Sequence, residues 1–175
     1  MRLFIGTVEE CDKNSAIEFV KQVKEKPNSV LGLATGSTPV GMYRNMVKAY
    51  QDGEVSFSQV KTFNLDEYVG LPKDHPCSYY YFMQDNLFKH IDIPAENIGF
   101  PDGMAADPVK ECLKYEESIA KAGGVDLQLL GMGHNGHIGF NEPGTPFESL
   151  THLVDLTEST INANSRFFES KDQVP

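Results

Sequence analysis

Short apolar runs alternate along this chain with longer stretches whose apolar residues recur at helical spacing. Residues 29–34, 59–65 and 125–130 are brief, largely apolar and bounded by turn formers, which predicts buried strands. Residues 1–6 alternate and predict a further short strand. Between the runs, residues 14–24 place Ala16, Ile17, Val20 and Val23 on one helical stripe, with Pro27 just beyond. Residues 39–50 do the same with Met42, Tyr43, Met46, Val47 and Tyr50. Residues 78–90 read as an aromatic-rich helix. Another helix follows Asp107, a good N-cap, with Pro108 at its first position and Val109, Cys112, Leu113, Ile119 and Ala120 directed inward. Residues 158–168 begin one more helix. Strands alternating with helices argue for a mostly parallel sheet in an α/β fold, with right-handed crossovers and helices on both faces.

Composition narrows the classes. With 175 residues, one domain spanning 1–175 can bury a real core. Apolar residues make up 40%, which argues against disorder. The net charge of −10 and the absence of a basic patch exclude nucleic acid as the expected partner. No apolar run reaches 18 residues, so no transmembrane helix and no membrane partner are expected. The N-terminus becomes polar too soon for a signal peptide. Cys11, Cys77 and Cys112 are odd in number and widely spaced, a pattern of reduced cytoplasmic thiols rather than a disulfide frame or a zinc site. The chain stops at Pro175 without a closing element, so the reading is of an α/β domain truncated at its C-terminus, the N-terminal part of a longer protein.

Three strand ends carry the candidate chemistry. At the first, Thr35-Gly-Ser-Thr-Pro39 joins a strand to a helix. Thr38 is an expected N-cap and Pro39 an expected first helical residue. Gly36 permits close backbone approach to an anion, and Ser37 and Thr38 add hydroxyl donors, so a phosphate fits the helix N-terminus. A capped turn with no ligand is the plainer reading of the same residues. At the second strand end, Asp66 and Glu67 point to opposite faces of extended chain, so one of them suffices for a ligand. A carboxylate in a partly apolar pocket has a raised pKa and can serve as a base; a solvated strand end is the alternative.

The third is Gly131-Met-Gly-His-Asn-Gly-His-Ile-Gly-Phe-Asn-Glu-Pro143, thirteen residues with four glycines, two imidazoles and a carboxylate. A helix would not tolerate so much glycine. His134, His137 and Glu142 are possible metal ligands, though the spacing is not His-Glu-x-x-His; one catalytic imidazole oriented by the carboxylate is the favoured reading. Arg166, flanked by aromatics, is a candidate phosphate clamp or a solvated surface arginine. The Tyr79-Tyr-Tyr-Phe82 cluster reads as packing, and His75, His90 and His152 have no supporting partners.

Taken in order, Leu33-Ala-Thr-Gly-Ser-Thr-Pro39, Phe63-Asn-Leu-Asp-Glu-Tyr-Val-Gly-Leu71, Gly136-His-Ile-Gly-Phe-Asn-Glu-Pro143 and Asn164-Ser-Arg-Phe-Phe168 resemble the glucosamine-6-phosphate deaminase family. The resemblance implies a Rossmann-like open sandwich. It implies hydrolytic deamination of a small sugar phosphate, glucosamine 6-phosphate, to fructose 6-phosphate and ammonia, with no metal and no cofactor. By the same resemblance Asp66 is the base at sugar C2, His137 assists ring opening, and Glu142 orients His137. Gly36, Ser37, Thr38 and Arg166 hold the phosphate, Arg166 from a mobile lid. Asn135 stands where some members carry aspartate; it can orient an imidazole but lacks the charge to stabilise its cation. The allosteric hexamers carry two basic residues near the positions of His152 and Val154, so the resemblance does not extend to their regulatory site. It also implies chain past residue 175, supplying further strands, the rest of the lid and a phosphate-binding lysine. Monomer and homo-oligomer remain equally open. The 6-phosphogluconolactonases are the alternative reading within the same sheet and loop; a sugar-phosphate binder without turnover is the alternative outside catalysis.

Overall fold

The computed structural model describes residues 2–175. Nine principal elements follow in the order α1 (Val8–Glu25), β1 (Val30–Leu33), α2 (Val40–Gln51), β2 (Lys61–Asn64), α3 (Tyr79–Asn86), β3 (Ile98–Gly99), α4 (Pro108–Lys121), β4 (Leu127–Gln128) and α5 (Glu158–Asn164). The strands form one sheet in the order β3-β2-β1-β4, and every pairing is parallel.

This order contains a change of direction. From β1 the chain steps through α2 to β2 and through α3 to β3. Then α4 carries it back across the sheet to β4, on the other side of β1. With right-handed crossovers, reversing the direction of travel moves the connecting helix to the opposite face. The core divides accordingly. Phe19, Val20 and Val23 of α1, Met42, Tyr43 and Met46 of α2 and Met83 of α3 pack with Leu31 and Leu33 of β1 on one face. Tyr115 of α4 packs with Val30 and Phe63 on the other. Alternate residues of β1 thus serve opposite faces, as the two-residue strand period requires. The expected α/β sandwich with helices on both faces is the observed one.

Some expected elements differ. Residues 2–6 form no strand: Leu3 and Ile5 are 78% and 84% exposed. Alternation alone does not make a strand when no neighbour offers a ladder. Helix α1 begins at Val8, six residues before the expected start. A capping box accounts for this, with the Glu10 carboxylate accepting from the Thr7 N–H at 2.7 Å and the Thr7 hydroxyl accepting from the Glu10 N–H at 3.3 Å. Thr38 does not cap α2. Pro39 occupies that position, and no side chain caps the helix. The 125–130 run contributes only two paired residues, although Asp126 and Leu129 extend the ladder through their N–H groups to Val30 and Gly32. The short β3 escaped the sequence pattern. Among the described residues, no helix is long and apolar enough to cross a membrane.

The carboxyl end of β1 is fastened from beneath. Tyr43, wholly buried in α2, donates its hydroxyl to the Ala34 carbonyl at 2.5 Å and accepts from the Ala34 N–H at 3.3 Å. Burial pushes that phenol far above its ordinary range, so it stays protonated and keeps donating. Tyr43→Phe leaves the Ala34 groups without this partner and should cost about 1–3 kcal/mol, measured by urea denaturation. An unchanged midpoint would mean that the hydroxyl does not hold the strand end.

Candidate active site

Parallel strands direct all their carboxyl ends to one edge of the sheet, and an open α/β sheet has its crevice where the winding direction reverses. Here the reversal lies between β1 and β4. A cleft of about 480 Å³ opens there, lined by residues 34–39 after β1, Leu65 and Asp66 after β2, and residues 129–133 after β4. His137, Gly139 and Phe140 close one wall; Asn164, Arg166, Phe167 and Phe168 close another. The structure therefore brings Gly36, Ser37, Thr38, Asp66, His137 and Arg166 to one cavity. Asn135 and Glu142 do not line it; they lie behind His137.

The loop after β1 leaves the sheet through Gly36, whose φ of +98° suits glycine and whose missing side chain faces open space. Ser37 and Thr38 are exposed. Because α2 lacks a side-chain cap, its first N–H groups remain available to an anion. Arg166 lines the same cleft with its guanidinium over the Phe167 ring, 4.7 Å from the centroid.

The paired carboxylates separate as strand alternation predicts. Glu67 turns to the N-terminus of α3, where Oε1 accepts from the Tyr68 and Tyr79 N–H groups and Oε2 from the Tyr80 N–H, each at 2.9 Å. Burial lifts its pKa, while those three donors pull against the rise. Asp66 turns to the cleft. It keeps some accessible surface, yet protein surrounds it closely on the remaining sides. Burial, then the neighbouring Glu67 charge, push its pKa up to about 7, opposed by the Phe140 N–H that donates to it. Gly139 makes this approach possible, since a Cβ there would lie 3.1 Å from Asp66 Oδ2 at a backbone φ of +60°.

His137 sits in a network whose directions can be worked out. Glu142 Oε1 accepts from the Thr160 hydroxyl at 2.5 Å, the Thr157 hydroxyl at 3.0 Å and the Thr157 N–H at 3.2 Å. Its Oε2 accepts from Asn135 Nδ2 at 2.7 Å. Burial works to raise the Glu142 pKa, but these donors, Thr160 and Asn135 foremost, hold it below the usual carboxylate range. An ionised carboxylate only accepts, so Asn135 must turn its NH2 toward Glu142 and its oxygen toward His137. Asn135 Oδ1 lies 2.6 Å from His137 Nδ1, which must therefore carry the proton. In the neutral ring Nε2 then keeps the lone pair. Glu142 is itself 4.0 Å from Nδ1 and reaches the ring through Asn135. The ring edge lies over Gly133, where a Cβ would come within 2.2 Å of Nε2.

The arrangement can bind an anionic group at one end of the cleft and exchange protons at the other through an imidazole and a carboxylate. His134 is exposed and outside the cleft. Among the described residues no three His, Cys, Asp or Glu side chains converge as a metal site would require. Thr157, Thr160 and Gly133 were not singled out from the sequence. Thr157-x-x-Thr160 announces a helix start at most, and nothing local shows that it faces Glu142.

The raised Asp66 pKa has a stability consequence. Folded, Asp66 holds its proton to about pH 7; unfolded, only to about 3.8. Folding therefore takes up a proton between these values, and the associated stability is complete below the lower one and lost as pH rises through the upper. Asp66→Asn is neutral throughout and should flatten the decline in melting temperature over that interval. Parallel wild-type and variant curves would show that Asp66 titrates normally.

Known proteins share this architecture. The family model described as glucosamine-6-phosphate isomerases/6-phosphogluconolactonase matches residues 7–159. A glucosamine-6-phosphate deaminase of Thermoanaerobacter sp. (strain X514) is 61% identical over 167 residues, 95% of this chain and 66% of the relative. One from Clostridium botulinum (strain Langeland / NCTC 10281 / Type F) is 56% identical over 173 residues, 99% of this chain and 71% of the relative. The chain thus spans about two thirds of the length of these curated relatives. Among solved structures, a monomeric glucosamine-6-phosphate deaminase of the NagB superfamily matches with a TM-score of 0.98 and 48% identity, covering 100% of this chain and 73% of the other. A 6-phosphogluconolactonase from Thermotoga maritima matches with a TM-score of 0.65 and 27% identity, covering 78% and 61%. With the motifs in order, the sheet reversal at the cleft and a model match over residues 7–159, the chain belongs to the glucosamine-6-phosphate isomerase/6-phosphogluconolactonase family.

Proposed function

We propose that this chain carries the catalytic site of a glucosamine-6-phosphate deaminase, converting glucosamine 6-phosphate and water to fructose 6-phosphate and ammonia. The proposal places it in cytoplasmic amino-sugar breakdown, with no metal or organic cofactor. The observation that carries it is the pairing, at one cleft, of an imidazole whose Nδ1–H is held by Asn135 with a carboxylate whose pKa is pushed up to about 7. Those are the two groups that this reaction needs near neutral pH.

The phosphate sits on the loop of Gly36, Ser37 and Thr38, at the α2 N-terminus, with Arg166 opposite. The sugar then extends toward His137 and Asp66. Opening the pyranose removes a proton from the C1 hydroxyl and delivers one to the ring oxygen; Nε2 of His137 can accept the first and return it as the second. Asn135 and Glu142 keep Nδ1 protonated throughout. Asp66 next removes the C2 proton of the open-chain aldehyde, giving an enolamine. Protonation at C1 leaves an imine at C2, to which water adds and from which ammonia departs. Each placed acid or base contributes on the order of 10²–10⁴-fold. Anchoring the phosphate contributes through orientation.

The lactonase members share the sheet, yet the identity is 27% to the lactonase against 61% to a deaminase. Release of ammonia from glucosamine 6-phosphate, with no hydrolysis of the lactone, distinguishes the two. Saturable sugar-phosphate binding without turnover would instead support a binding protein.

Asp66→Asn should abolish exchange of the C2 proton with deuterated solvent while retaining phosphate-dependent binding. Exchange surviving in the variant would remove Asp66 from the role of base. His137→Gln should impair the cyclic substrate far more than an open-chain analogue, read as the ratio of the two kcat/KM losses. Equal losses on both would count against ring opening.

A further inference from the structure

Thr160 belongs to no motif, yet it is 2% exposed and contacts both members of the His137–Glu142 pair. It stands in the first turn of α5, three residues after the N-cap Thr157. Its hydroxyl lies 2.5 Å from Glu142 Oε1 and 3.4 Å from His137 Nδ1.

A hydroxyl has one hydrogen and two lone pairs. The short contact commits that hydrogen to the carboxylate, so toward Nδ1 the oxygen can only accept. Asn135 is committed in the same way by its own NH2. The Nδ1–H therefore faces two acceptors, each polarised by the same anion. This matters because residue 135 is an amide. An asparagine can turn over about its last torsion and present NH2 to Nδ1, which would transfer the proton to Nε2 and remove the basic lone pair. A second acceptor beside it, held by the same carboxylate, opposes that turn. The Thr160 hydroxyl also helps to keep Glu142 facing Asn135.

We propose that Thr160 is a positioning residue for His137, supplying through its Glu142-oriented hydroxyl the second acceptor that holds the Nδ1–H form beside a neutral Asn135. The inference rests on the ring-opening role given to His137 above, but its primary test does not need turnover.

Long-range proton–nitrogen NMR of the histidine-labelled protein reads which ring nitrogen is protonated, with His137 signals identified by their loss in His137→Gln. Wild type and Thr160→Ser should show the Nδ1–H form. Thr160→Val keeps the branched shape without the hydroxyl and should show a mixture containing Nε2–H. Its kcat for glucosamine 6-phosphate should fall roughly tenfold, the scale of one lost hydrogen bond to a charged group, with KM changed less than about twofold. Thr160→Ser should restore most of kcat. Should the valine variant fail to fold, Thr160→Ala removes the same hydroxyl with a better helix former. A variant lacking the hydroxyl that keeps the pure Nδ1–H form overturns the proposal, as does a kcat loss that serine does not rescue. A wild type with no turnover would defeat the deaminase reading, while the NMR comparison would still decide the placement of Thr160.

Discussion

Glu142 gathers four hydrogen bonds from Asn135, Thr157 and Thr160, and the order of the site follows from that concentration of donors on one anion. Burying a carboxylate is costly unless charge-assisted bonds replace its water. Here they do more than replace it. An acceptor-only centre dictates which way every surrounding amide and hydroxyl must point, and the imidazole tautomer is the last link in that chain. The same bonds tie residues 135–142 to the start of α5, which leads on to Asn164 and Arg166. Asn164 in turn donates to the Tyr68 hydroxyl at 2.8 Å, two residues from Asp66. The segment carrying the candidate phosphate clamp is thus attached at one end behind His137 and at the other beside Asp66.

The sheet sets the larger distances. Leu33 of β1 pairs with Asn64 of β2, so the strands end level and the loop of Gly36 emerges alongside Asp66. The reversal to β4 opens the crevice on the other side of β1. Gly139 and Phe140 then join the two sides of the site, because the strand end carrying Asp66 and the loop carrying His137 meet there, with a Cβ on Gly139 placed 3.1 Å from Asp66 Oδ2. A ring of aromatic side chains surrounds this junction. Phe140 lies 5.2 Å from Tyr68 and 5.6 Å from Tyr79, centroid to centroid, and Phe168 meets Tyr68 edge-on. That apolar enclosure, more than the adjacent Glu67 charge, is what raises the Asp66 pKa.

Much of this was legible in the sequence because it is local. Strand ends rich in glycine and charge marked Asp66, His137 and the loop of Gly36 to Thr38, and all of them line the cleft. Helical stripes identified the buried faces of α2 and, apart from the exposed Ile17, of α1; in α4 the expected Val109, Leu113 and Ala120 are exposed, and Tyr115 is the buried residue. What failed depended on neighbours distant in the chain. Residues 2–6 have the alternation of a strand without a partner beside them. Thr38 has the chemistry of a cap, but the chain turns one residue later. Thr157 and Thr160 meet Glu142 only because residues 143–156 fold back, and no periodicity encodes that return. The early start of α1 is a different kind of miss, since Thr7-x-x-Glu10 announced it locally.

The division of labour between Asp66 and Glu67 has an evolutionary consequence. Their opposite fates, one beside the cleft and one on the α3 N-terminus, are decided by position counted from the paired residues of β2 and not by side-chain length or acidity. Deleting or inserting a single residue between Asn64 and Asp66 would exchange the two faces. Glu67 would then turn toward the cleft, and the first N–H groups of α3 would meet the shorter Asp66 in place of Glu67. A point substitution at Asp66 or Glu67 changes one face at a time, whereas a length change alters the cleft and the α3 N-terminus in the same event. Insertions and deletions in this region should therefore be tolerated in the loops on either side of the paired strand, and resisted in the two residues that lead out of it.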